Sequence, residues 1–85
     1  MAKDSNTKYS AKSIRKAFYT LAPALGRSSV DGILADFDMQ GLLLYDENTE
    51  YSLSQIERGL ANIFGDDATA LLFELIKKEL LKERA

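Results

Sequence analysis

The 85-residue chain has no cysteine, no histidine, no tryptophan and a single proline, Pro23. Without cysteine it can form neither a disulfide nor a thiolate metal site, and nothing in its composition asks for an oxidising compartment. Without histidine it lacks the commonest general base and the commonest metal ligand. Ser-His-Asp and Cys-His machinery cannot be built from it. The five glycines are scattered and make no phosphate-cradling loop. No apolar run comes near the ~20 residues of a membrane span. The opening MAKDSNTKYS is polar and lacks the apolar stretch of a signal peptide. These absences lead to the expectation of a non-enzymatic, cytoplasmic protein with no cofactor, no resident metal and no membrane segment.

Charge is unevenly placed, although the net charge is only −2. Residues 1–27 hold Lys3, Lys8, Lys12, Arg15, Lys16 and Arg27 against Asp4 alone, and the remainder is acidic. The basic half either complements the acidic half within the fold or meets an anionic partner.

Hydrophobic periodicity describes an all-α protein: a small four-helix domain over residues 10–85, preceded by a disordered tail over 1–9. Ser10 can cap the first helix, in which Ile14, Ala17, Phe18, Leu21 and Leu25 recur on one face. Pro23 cannot donate a backbone N–H and its ring clashes one turn back, so this helix should end or kink near Leu21, with Gly26 closing the segment. Ser28 or Ser29 can cap the second helix, with Val30, Ile33, Leu34 and Phe37 as its buried stripe. LLLY at 42–45 is too short for a helix and predicts an extended segment, with YSL at 51–53 pairing back as a minimal hairpin between helices two and three. SLSQ at 52–55 is a capping-box pattern that opens helix three, lined by Leu53, Ile56, Leu60, Ile63 and Phe64 and ended by Gly65. Asp66 starts helix four. Its acidic beginning and its basic end at Lys77, Lys78 and Lys82 suit the helix dipole.

Residues 36–47, DFDMQGLLLYDE, nearly match a calcium loop, with Asp36, Asp38, Gln40, Gly41 and Glu47 at positions 1, 3, 5, 6 and 12 of the twelve-residue pattern. The helical phase argues against a calcium-binding protein and for a helix end. Phe37 belongs to the buried stripe of a helix still in progress, positions 7 to 9 are leucines, and a turn stands where the exiting helix should begin.

Two surfaces carry the functional reading. Lys12, Arg15 and Lys16, with Tyr19 beside them, form a basic face on helix one that suits an acidic partner or, as the less favoured alternative, the nucleic-acid phosphates of a transcriptional regulator's target. Helix four carries two apolar stripes. Ala68, Leu71, Leu72 and Leu75 are read as facing the core. Phe73, Ile76 and Leu80, with Thr69, are read as facing a protein partner or a second copy of the chain.

KSIRKAFYTL at 12–21 and YSLSQIERGLANIFGDDATALLFELIKKEL at 51–80 resemble a small archaeal family, the Nitrosopumilus output domain group of ammonia-oxidising archaea. The likeness lies in the basic-then-AFY start at 13–19, in IFG after an L..IE..L helix, and in the closing A..L...I.KEL helix. It spans most of residues 10–81 and is weaker over 26–50. The resemblance implies a signalling or regulatory output module without known catalysis, and it assigns no functional residue.

Overall fold

A computed structural model describes residues 7–84. Among the described residues the chain forms four helices and one two-stranded sheet: β1 (Lys8–Ser10), α1 (Ala11–Thr20), α2 (Ala22–Leu25), α3 (Arg27–Met39), β2 (Glu50–Ser52) and α4 (Leu53–Arg84). The architecture is all-α, with β2 as the short extended segment that precedes α4.

Of the expected tail, residues 1–6 lie outside the described residues. Lys8 and Tyr9 are strand rather than tail. Tyr9 sits in the core at 5% exposure, so its ring, the one large apolar group of that segment, draws the strand onto the domain.

The partner of β2 differs from the local hairpin read in the sequence. β2 pairs antiparallel with β1, setting Tyr9 opposite Tyr51. The ladder is extended by the Ala11 amide donating to the Thr49 carbonyl at 3.0 Å. Residues 42–49 form a turn-rich loop instead of a strand, because Leu44 is drawn into the core and side chains serve the loop's polar backbone. The Leu43 amide donates to the Tyr51 hydroxyl at 2.8 Å, and the Thr49 hydroxyl donates to the Leu43 and Asp46 carbonyls.

Local chemistry sets the helix boundaries. The Ser10 hydroxyl accepts the Ser13 amide at 3.1 Å and caps α1. α1 ends at Thr20, α2 takes Pro23 into its first turn, and Gly26 at φ 91° turns the chain directly into α3. Gly26 thereby occupies the cap position itself, so α3 starts at Arg27, ahead of the expected serine caps, and has no side-chain cap. α3 ends in a Schellman turn: Gly41 is at φ 85°, its amide donates to the Asp38 carbonyl at 3.0 Å, and the Leu42 amide reaches back to Phe37 at 2.8 Å. Ser52 and Gln55 cap α4 reciprocally, at 2.9 and 3.3 Å. Gly65, at φ 78° and ψ 179°, breaks α4 into a first arm (53–64) and a second arm (66–84), the two helices read separately in the sequence.

The core is shared by every helix except the short α2. Phe18 of α1 meets Phe37 of α3 edge to face, with ring centroids 5.5 Å apart. Ile14, Leu34, Ile56 and Leu60 close around them. Gly59 lets α4 lie against α3: a Cβ there would stand 3.0 Å from both Leu42 Cδ1 and Phe37 Cζ.

Candidate interaction surface

The basic face of α1 is divided by the fold. Arg15 is half-buried and its Nη1 donates to the Leu44 carbonyl at 2.8 Å, while its guanidinium lies 5.1 Å from the centre of the Tyr45 ring. It therefore clamps the 42–49 loop to α1. Tyr19 is engaged as well. Its hydroxyl donates to Asp31 Oδ1 at 2.6 Å and lies 3.0 Å from the Tyr45 hydroxyl, and Arg27 stacks over its ring at 4.8 Å. The hydrogen bond to Asp31, then the one to Tyr45, pushes the Tyr19 pKa up to about 12. Lys12 and Lys16 are exposed. Lys16 lines a small cleft with Glu79 and Lys82 of the second arm, where Lys82 pairs with Glu79 at 3.3 Å.

Residues 36–39 are the last turn of α3, and Gln40 does not face a metal loop. The Gln40 amide nitrogen donates to the Gly59 carbonyl at 3.1 Å, and its oxygen accepts from Asn62 at 2.8 Å. Among the described residues no group of three or more acidic side chains converges as a metal site. No helix among them is long and apolar enough to cross a membrane.

On the second arm the two apolar stripes trade the places read in the sequence, except that Leu72, read as facing the core, does pack against it. Ile76 and Leu80 are fully buried at 0% exposure, Thr69 is buried beside them, and Phe73 is half-buried against the core. This stripe faces inward because the arm folds back beside α1, where Lys16, Ala17 and Thr20 flank Glu79 and Lys82. Ile76 and Leu80 are therefore corrected from partner surface to core, and Phe73 from a free anchor to a core-edge residue whose ring has Lys77 Nζ at 5.5 Å. The outward stripe is the other one. Leu71 is 70% exposed, Leu75 is 42% exposed, and Phe64 and Leu81 are also exposed. One signal in the sequence marks the difference. Continued in helical steps, the Leu71–Leu75 stripe runs into Lys78 and Lys82, whereas the Thr69–Phe73–Ile76 stripe runs into Leu80.

Beside the outward stripe lies an apolar groove of about 390 Å³ between α3 and the Gly65 elbow. Leu25 and Ile33 line one side, Ile63, Phe64 and Leu72 the other, and Asp36 contributes the charged group. Gly32 lines it too, and nothing lies within 4 Å of where its Cβ would be. Asp66 and Asp67 begin the second arm just past the elbow. The surface thus presents apolar side chains bordered by carboxylates, which suits an apolar helix face carrying basic residues.

No protein-family model matches the chain, and no curated protein or solved structure matches it either.

Proposed function

We propose that this chain is a non-enzymatic interaction module of archaeal signalling or regulation. It acts in the cytoplasm as an output domain that docks an amphipathic helix on the apolar face at the Gly65 elbow. The observation that carries this reading is the 70% exposure of Leu71 on a helix whose opposite stripe is buried at Thr69, Ile76 and Leu80, next to the groove lined by Gly32. Large apolar side chains exposed side by side on a small domain mark contact surfaces. Asp36, Asp66 and Asp67 select a helix with basic flanks. The resemblance of residues 12–21 and 51–80 to the Nitrosopumilus output domain group supports the regulatory setting.

The test is a selection from displayed helical peptides, followed by calorimetric titration of the winners. Peptides with apolar residues at helical spacing and flanking lysine or arginine should be enriched. Gly32→Gln, which fills the groove from an open position, and Leu71→Asp should each weaken binding by about tenfold or more, ~1.4 kcal/mol. Enrichment of no such peptide, or binding indifferent to both substitutions, overturns the proposal.

A further inference from the structure

At about 100° per residue, Ala68, Leu71, Leu75, Lys78 and Lys82 fall in one seam along the second arm, alternating steps of three and four as helix-pairing seams do. All five are exposed. The seam faces away from Ile76 and Leu80, and among the described residues nothing covers it.

We infer that the helix docked on this face is the second arm of α4 from a second copy of the chain, laid antiparallel about a two-fold axis between Leu71 and Leu75. This rests on the docking reading above and names its occupant. Charge decides the direction. Asp66 and Asp67 begin the arm, and Lys77, Lys78 and Lys82 lie toward its end. An antiparallel neighbour sets acidic beginning against basic end and opposes the two helix dipoles favourably. A parallel neighbour sets like against like.

The register follows from the same axis. A two-fold axis that places Leu71 beside the second copy's Leu75 also places Asp67 within one residue, about 1.5 Å along the helix, of the second copy's Lys78. Asp67 and Lys78 lie within about 20° of each other around the helix, on one edge of the seam. Antiparallel two-fold pairing brings like edges together, so both ends of the seam gain an ion pair. Among the described residues neither Asp67 nor Lys78 has an ion-pair partner within the chain. Glu74, the acidic residue nearest the axis, is already paired with Lys77 at 3.2 Å, which reduces its repulsion of its own symmetry mate. The seam is short, so the dimer is weak and exchanges rapidly.

Sedimentation equilibrium from micromolar to millimolar concentration tests this on the full chain. The expected result is a monomer–dimer equilibrium weakened about tenfold or more by Leu71→Asp or Leu75→Asp, with circular dichroism unchanged. The absence of cysteine supplies a clean register probe. Asp67→Cys and Lys78→Cys chains, mixed in equal amounts and oxidised, should give chiefly the mixed 67–78 disulfide. A monomer throughout, a dimer indifferent to both leucine changes, or a predominance of 67–67 and 78–78 disulfides overturns the inference. A monomer that still binds basic amphipathic peptides removes the second copy as occupant and keeps the docking reading. A monomer that binds none removes both.

Discussion

Arg15 holds the Leu44 carbonyl from 29 residues away, at 2.8 Å, and so ties the loop that precedes β2 to the first helix. Arg15→Ala should cost about 1–3 kcal/mol, since it removes a charge-assisted hydrogen bond and leaves a loop carbonyl unpaired. Arg15→Lys should recover little, because an ammonium does not reproduce the planar contact with Tyr45. Urea unfolding measures the loss, and hydrogen exchange of residues 42–49 should rise with it. Full stability in Arg15→Ala would mean that the clamp is idle.

Two alanine substitutions at glycine should have opposite signs. Gly59→Ala gains up to about 1 kcal/mol of helix propensity but drives a methyl against Phe37, whose ring is held by Phe18. Overpacking costs ~1–3 kcal/mol, so the net change should be destabilising. Gly32→Ala meets nothing and should stabilise by about 0.5–1 kcal/mol. Thermal unfolding of the two variants gives the comparison.

The assignment of inner and outer stripes on the second arm is directly measurable. Ile76→Ala and Leu80→Ala should each cost ~2–5 kcal/mol, as buried truncations do, and such a loss unfolds a large share of a domain this small. Leu71→Ala should fall within about 0.5 kcal/mol of the parent chain when measured at low concentration. Thr69→Val should stabilise by about 1 kcal/mol, because the Thr69 hydroxyl oxygen is buried without a hydrogen-bond partner and valine keeps the shape. Equal losses at Leu71 and Ile76 would contradict the assignment.

Tyr19 should be the marker of the α1–α3 surface at high pH. Its folded pKa is raised from 10.0 to about 12 by the bond to Asp31 and then by Tyr45. A raised pKa means that the stabilisation is fully present below pH 10, the ordinary value, and is lost as pH rises through the folded value. Spectrophotometric titration of tyrosinate should show a late phase that disappears in Tyr19→Phe and moves earlier in Asp31→Asn.

The calcium-like spacing at 36–47 shows how one stretch supports two readings until helical phase is considered. Phe37 belongs to the stripe Val30, Ile33, Leu34, so the acidic neighbours are helix rather than loop, and Gly41 supplies the left-handed residue that a Schellman turn needs. All of that is local and was legible in the sequence.

The sequence by itself determined the helices, most of their caps and the break at Gly65, because these depend on residues a few positions apart: Ser10 with Ser13, Ser52 with Gln55, Phe37 with Leu42. It also determined that no histidine or cysteine chemistry is open to the chain. Only the tertiary structure decided which strand pairs with β2, since the choice rests on burying Tyr9 and Leu44 together rather than on the turn between 45 and 51. Only the tertiary structure decided that Arg15 is a clamp, and it was the fold that put Ile76 and Leu80 inward, with the lysines that continue the Leu71–Leu75 stripe as the one local sign in the sequence. Both stripes of the second arm are apolar enough to be core. Which one is covered depends on where the Gly65 elbow sends the arm, and that direction is fixed by contacts with α1, far away in sequence.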